Sequence, residues 1–154
     1  MRDLKAYLED SPKDLVAPQL LNVDGSLQPN GRGLPRLSYK ILHRLRPAAV
    51  KKNYRKFAAF GEKKEVAWAI GAAIAGTRIR LSELGPWDEH FFVYYEDSDL
   101  GLRNRQSGSR TILHGDVRWV HGWARETAAL NFRAWRYEVP SMIKFYVRYP
   151  RLLV

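Results

Sequence analysis

Trp87-Asp-Glu-His-Phe-Phe-Val-Tyr-Tyr-Glu-Asp-Ser-Asp-Leu100 is the stretch on which the reading of this chain turns. Its fourteen residues hold five carboxylates and five aromatic rings, in a protein whose formal net charge is +10. Local acidity against a basic background points to groups placed for acid–base work or for holding a cation, and the aromatic rings supply a stiff floor beneath them. The run continues as Gly101-Leu-Arg-Asn-Arg-Gln-Ser-Gly108, which predicts a short helix from Tyr95 to Gln106 stopped by Gly108. Glu96, Asp97 and Asp99 then fall in the first turn, where unpaired N–H groups and the helix dipole favour negative charge. Taken one by one, such residues commonly serve as caps and core. It is the whole string that carries information.

Outward from this stretch, bulk properties set bounds. A chain of 154 residues is one domain by size, with enough material for a core. The absence of cysteine removes disulfides and thiolate metal sites and fits a reducing compartment. No apolar run approaches the ~20 residues of a membrane span, and the charged N-terminus has no signal-peptide core. Between Gly25 and Gly61 there is no Asp or Glu, but there are nine Lys and Arg: Arg32, Arg36, Lys40, Arg44, Arg46, Lys51, Lys52, Arg55 and Lys56. Tyr39, Leu45, Tyr54 and Phe57 are interleaved, with partial helix expected on either side of Pro47. This reads either as a solvated basic face or as a contact for an anionic membrane surface.

The remaining elements follow from periodicity and breakers. Arg2 to Asp10 is an amphipathic helix ended by Ser11-Pro12, and Leu15 to Leu21 is a buried or edge strand containing Pro18. Asn22 to Gly25 is a turn, and Gln28 to Pro35 a loop. Glu65 to Ile70 is a strand, followed by the small residues Gly71 to Thr77 and a short helix from Arg78 to Leu84. Ser109 to Leu113 and Asp116 to Val120 read as two short strands ending at His121. From Trp123 to Tyr149 one or two amphipathic helices are expected, broken near Pro140, for packing or for docking on a membrane or partner.

The acidic string closely resembles the motif DE-x-FF-x-Y-x-ED-x-DL-x-x-R of family-2 glycosyltransferases, nearest to their rhamnosyltransferase-like branch. Asp88, Glu89, Phe91, Phe92, Tyr94, Glu96, Asp97, Asp99, Leu100 and Arg103 match, and Trp87 stands where phenylalanine is usual. Gly71 and Ala72 resemble the family's GA pair, where a small residue lets backbone approach a ligand. The likeness runs from about Leu4 to Thr127, with residues 128–154 as C-terminal helices, and covers only the second half of the family's catalytic domain. The implied fold is α/β: a partial GT-A, Rossmann-like mixed sheet with flanking helices, without the nucleotide-binding half. A shortened gene, a separate nucleotide-binding half and a fragment of a longer protein are all compatible with this. Left alone, such a half would expose apolar sheet surface, so either a partner, a separate N-terminal half or a homo-oligomer, or poor stability is expected.

The resemblance implies inverting transfer of a rhamnose-like sugar from a dTDP- or UDP-sugar to a lipid-linked or cell-envelope glycan. It implies Asp97 as the base with Glu96 beside it, and Trp87, Asp88, Glu89, Asp99 and Arg103 around the acceptor. It also implies a divalent Mg or Mn ion held in part by His121, and a cytoplasmic location, peripheral on the membrane. The rival is a non-catalytic basic module for nucleic acid or anionic membrane, supported by the basic run and by aromatics able to stack. Clustered carboxylates, which repel phosphate, weigh against it.

Overall fold

The computed structural model describes residues 2–39, 54–85, 87–122 and 132–153. Its centre is the strand β1 (Leu15–Leu21), which runs parallel to β6 (Thr111–Val120); β4 (Lys63–Val66) lies antiparallel on the far side of β6. Leu15, Val16 and Ala17 are all fully buried, so β1 does not alternate. A strand covered on both faces reads as a continuous apolar run. One face is covered by α1 (Arg2–Asp10), whose Leu4, Tyr7 and Leu8 pack on Val16, Ile112 and Val117. On the other, Ala17 and Leu113 join Ala58, Val66 and Ala69. The fold is α/β, a mixed three-stranded sheet with flanking helices, consistent with part of a Rossmann-like domain.

Pro18 is accommodated because the ladder slips beside it: Pro18 aligns with His114, but Gln19 aligns with Arg118. The two short strands expected between Ser109 and Val120 are therefore a single strand, β6, that bulges across residues 115–117. Gly115 makes the bulge possible. A Cβ there would lie 1.7 Å from the Ala59 carbonyl oxygen, and its own N–H donates to the Glu62 carbonyl at 2.8 Å.

A second, antiparallel sheet has the order β3 (Arg55–Lys56), β2 (Gly31–Arg32), β5 (Trp68–Ala69). The strand expected from Glu65 to Ile70 is thus divided: Lys63–Val66 belongs to the first sheet and Trp68–Ala69 to the second, with Ala67 at the crossing. The expected loop from Gln28 to Pro35 contains β2. Its backbone is drawn into pairing by the Ala67 N–H, which donates to the Arg32 carbonyl at 2.8 Å, and the Ile70 N–H, which donates to the Asn30 carbonyl at 2.9 Å.

Three fully buried amides join the two sheets. Gln19 Nε2 donates to the Gln28 carbonyl (2.7 Å) and to Asn30 Oδ1 (3.1 Å), and Gln19 Oε1 accepts from the Ala58 N–H at 2.7 Å. Asn30 Nδ2 donates to the Pro18 carbonyl at 2.8 Å. Buried amides are tolerated when satisfied in this way, and such a network fixes one arrangement of the strands.

The helix α2 (Arg78–Leu84) is capped by Thr77, whose Oγ1 accepts from the Arg80 N–H at 3.1 Å and donates to the Pro12 carbonyl at 3.0 Å. The helix α3 (Glu96–Gln106) crosses β5 so closely that a Cβ on Gly101 would lie 2.4 Å from Trp68 Cβ and 2.7 Å from the Ala67 carbonyl oxygen. Gly101→Ala is therefore expected to destabilise the fold by ~1–3 kcal/mol through overpacking, although alanine is the better helix former. Thermal denaturation checks this; a Tm at or above wild type would mean that α3 does not bear on β5.

The last helix, α4 (Phe132–Arg148), runs through Pro140 instead of breaking there. Proline costs a helix an N–H donor and a clash. Here tertiary packing outweighs that cost: Phe145, Tyr146 and Tyr149 are buried with Phe91, Tyr95 and Leu102 in one cluster. The short 3-10 turn Pro150–Leu152 ends the described chain. Among the described residues no helix is long and apolar enough to cross a membrane. Lys40 to Asn53, including the Pro47 interruption and Leu45, and the stretch from Trp123 to Asn131 lie outside the described residues.

Candidate active site

The acidic motif is held by its backbone. Tyr94 and Tyr95 both have left-handed conformations, with φ of 67° and 72°, and they immediately precede Glu96 and Asp97 at the start of α3. Two consecutive non-glycine residues in this region cost on the order of 1–3 kcal/mol each and persist only where the surroundings over-determine them. Here α4 does so. The Tyr95 ring is buried 4.9 Å from the Phe145 ring and 6.2 Å from that of Tyr146. Ser141 Oγ donates to the Val93 carbonyl at 2.9 Å, Lys144 Nζ to the His90 carbonyl at 3.0 Å, and Tyr146 Oη to the Pro35 carbonyl at 2.9 Å. The strained turn sets the Asp97 carboxylate against the backbone of Gly71, just beyond β5.

Asp97 Oδ1 accepts from the Ser98 N–H at 2.8 Å, and Oδ2 from the Gly71 N–H at 3.3 Å. Burial pushes its carboxyl up to about 6, helped by the neighbouring charge of Glu96 and opposed by these N–H donors and by the cation of Arg32. Glu96 Oε2 is buried and accepts no hydrogen bond among the described residues. Gly71, Trp87 and Asp97 come together: a Cβ on Gly71 would lie 3.7 Å from both Asp97 Cβ and Trp87 Cζ2, an ordinary contact distance. The backbone approach expected at Gly71 is thus a hydrogen bond to the carboxylate, while the closest packing falls at Gly101 and Gly115. Ala72 is exposed beside Gly71.

Gly71 and Ala72 also border an apolar groove of about 820 Å³, which runs between α1 and residues 71–77 along Leu4, Leu8, Pro18 and Trp119. Asp97 does not itself line the groove; it meets this segment through its hydrogen bond from the Gly71 N–H.

The other motif residues divide into two groups. Trp87 and Glu89 are exposed. Asp88 accepts from the His90 N–H at 2.9 Å and from Arg148 Nη1 at 2.6 Å, and these bonds hold its carboxyl well below the usual range. Asp99 is fully buried. Its Oδ2 accepts from Arg103 Nε at 2.7 Å, and its Oδ1 from Arg148 Nη1 at 2.9 Å and Tyr149 Oη at 2.7 Å. Arg103 also donates to the carbonyls of Leu84 and Gly85. Asp99 and Arg103, expected around the acceptor, are here engaged in contacts between helices. They tie α2, α3 and α4 together, because a buried carboxylate needs its charge and lone pairs satisfied.

His121 Nδ1 lies 2.9 Å from Gln28 Oε1, which places the ring proton on Nδ1 and leaves Nε2 as the lone-pair nitrogen. The described residues contain no group of three or more His, Cys, Asp or Glu side chains able to hold a metal. His121 can offer one ligand, but these residues do not compose a metal centre.

The structure also brings to the site residues that sequence reasoning did not place there. Arg32, counted above with a basic surface, is only 9% exposed, with its guanidinium 5.8 Å from the Trp68 ring centroid. Tyr54 packs 6.5 Å from the same ring, and burial pushes its phenol up to about 12. Both interact electrostatically with Asp97. The available signal was the position of Trp68 within an apolar strand. The pairing of β2 with β5 that carries Arg32 to it is a long-range event.

No protein-family model matches the chain. Over 117 residues it is 26% identical to the N-acetylglucosaminyl-diphospho-decaprenol L-rhamnosyltransferase of Mycobacterium tuberculosis, found so in two strains. The match takes in 73% of this chain and 38% of the length of those relatives. Together with the carboxylate pair at a strained helix start, this supports a glycosyltransferase-like relationship for the chain.

Proposed function

We propose that this chain carries the acceptor side of an inverting glycosyltransferase, with Asp97 as the base. The observation that carries the reading is the Asp97 carboxylate at the head of α3, hydrogen-bonded to the N–H of Gly71, a residue that borders the apolar groove, with its carboxyl raised to about 6 by burial. A carboxylate of that pKa is ionised at neutral pH, yet is a stronger base than an ordinary one. It takes the proton of the acceptor hydroxyl as the hydroxyl oxygen bonds to the anomeric carbon. The bond from that carbon to the donor's diphosphate breaks, and its electron pair leaves with the diphosphate, inverting the configuration. Burial first, and Glu96 beside it, keep the pKa high, while Trp87, near Gly71 and exposed, offers a face on which a sugar ring would sit. The groove past Gly71 suits the hydrocarbon of a lipid-linked acceptor, as in the name of the mycobacterial relative, and a membrane-peripheral location follows from such an acceptor. The donor is a dTDP- or UDP-sugar, with rhamnose the first to try. A nucleotide-binding half and a divalent ion would come from outside the described residues, with His121 as one ligand.

The test is transfer from dTDP-rhamnose to a short polyprenyl-diphosphate glycan, with the chain alone and with a nucleotide-binding half supplied in trans. Because the base must be ionised, the rate should be level above pH 7 and fall tenfold for each pH unit well below about 6. A rate independent of pH between 4.5 and 7 would remove Asp97 from the role, and no transfer under either condition would overturn the reading.

A further inference from the structure

We infer that the outer face of α4 docks on an anionic membrane surface. The proposal deepens the transferase reading by naming the surface that would meet a lipid-linked acceptor, but the face itself rests on separate observations.

Arg136, Val139, Pro140, Ile143 and Val147 fall on one side of α4, at spacings of three and four residues, and all five are exposed. Ile143 is 57% exposed and Val147 76%. The opposite side, through Ser141, Phe145 and Tyr149, is buried in the fold. Packing within the chain therefore accounts for one face of the helix and leaves a row of branched aliphatic groups in water on the other. The apolar patch extends beyond the helix. Phe92, of the acidic string, is 77% exposed and lies against the exposed Tyr137, with 5.5 Å between ring centroids.

Charge decides what covers this face. Arg136, Lys144 and Arg148 are exposed on α4, and Arg151 is exposed in the 3-10 turn that follows. Arg148 is held by Asp88 and Asp99, but Lys144 Nζ donates to an uncharged group, the His90 carbonyl, and Arg136 stands 5.3 Å from the Tyr137 ring centroid. The one carboxylate of α4, Glu138, is half-buried, on the stripe that continues through Ser141 and Phe145. A second copy seated on this face would set cation against cation, because a two-fold interface presents the same patch twice. Nucleic acid would meet the cations but leave Val139, Ile143 and Val147 in water, since bases stack on rings and not on branched aliphatic groups. An anionic bilayer satisfies both. The aliphatic row and Phe92 enter the boundary between headgroups and acyl chains, and the long stems of Arg136 and Lys144 let their charged ends stay at the phosphates. The buried side of the same helix clamps the Tyr94–Tyr95 turn, so docking holds the acidic motif about 10 Å, one helix diameter, from the bilayer.

The chain has no cysteine, so a single introduced one can carry an environment-sensitive fluorophore. The test uses the full chain and vesicles of two parts phosphatidylcholine to one part phosphatidylglycerol. The label on Val147→Cys should shift to the blue when these vesicles are added. The same label on Val23→Cys, in a turn and 82% exposed, should not. Co-sedimentation should fall about tenfold or more for the triple variant Val139→Gln, Ile143→Gln, Val147→Gln, and likewise for wild type on pure phosphatidylcholine. Arg136→Gln with Arg151→Gln should weaken binding by about threefold or more, and Arg2→Gln with Lys13→Gln, an equal loss of charge, by under about twofold. If the triple variant fails to fold, the two labels still decide. No blue shift at residue 147, a folded triple variant that binds as wild type, or equal losses from the two charge pairs would overturn the proposal. So would a shift produced by an RNA oligonucleotide instead of vesicles, or one that rises with protein concentration alone, which marks a contact between copies. Docking without sugar transfer would leave the face standing and count against the transferase reading alone. Transfer to a short-chain acceptor without docking would do the reverse.

Discussion

Asp97→Asn is expected to lower sugar transfer by ~10²-fold or more in any transfer-competent assembly, with the fold intact. The substitution keeps the shape of the side chain, and its Oδ1 can still accept from the Ser98 N–H, but it cannot take a proton. The stability side has a definite sign. On folding, the Asp97 carboxyl rises from 3.8 to about 6, because burial and Glu96 disfavour its charge. Such a group favours the folded state while protonated, and this contribution is lost as the pH rises from about 4 through about 6. The neutral amide escapes that loss, so at pH 7 the variant should be at least as stable as wild type. Activity and urea denaturation measured on one preparation separate the two effects. Near-normal turnover would show that another group is the base, and a lower denaturation midpoint would show that the hydrogen bonds to the carboxylate outweigh its desolvation.

Phe145→Ala should cost ~3–5 kcal/mol of stability, the largest loss expected from any single side chain in the described core. Phe145 is fully buried at the centre of the cluster of Phe91, Tyr95, Tyr146 and Tyr149, with ring centroids 4.9 Å from both Tyr95 and Tyr149. Its removal leaves a cavity under the left-handed Tyr94–Tyr95 turn, whose backbone is then free to relax. The carboxylates of Glu96 and Asp97 lose their aim, so transfer should fall further than the fraction unfolded accounts for. Ile143→Ala, on the exposed side of the same helix at 57% exposure, should change stability by less than about 0.5 kcal/mol. A loss below about 1 kcal/mol for Phe145→Ala would mean that α4 does not clamp the motif.

Local signals located many of the elements. The Arg2–Asp10 and Arg78–Leu84 helices, the Leu15–Leu21 strand and the start of α3 follow from apolar spacing, turn residues and capping chemistry, which act within a few residues. The motif string itself named the Glu96–Asp97 pair. Local reasoning failed where distant segments override propensity. It expected a break at Pro140, but the aromatic face beyond it packs on residues some fifty positions earlier. It expected one strand from Glu65 to Ile70, but two sheets compete for that backbone.

The roles within the acidic string show the same division. Asp88, Glu89, Asp97 and Asp99 are equivalent on paper, as carboxylates near a helix start. Asp99 became a buried tie because helical geometry points it inward, at Arg148 and Tyr149, which lie fifty residues away in sequence. Asp97, two positions earlier, instead accepts from the backbone N–H of Gly71. The α/β character of the chain and its carboxylate motif are legible in neighbouring residues, because periodicity and short-range chemistry act there. Which carboxylates are structural, which glycines bear on backbone and which arginine of the basic run is buried follow from packing. Those outcomes depend on burial and on charge–charge distances, and these exist only after remote strands and helices have packed.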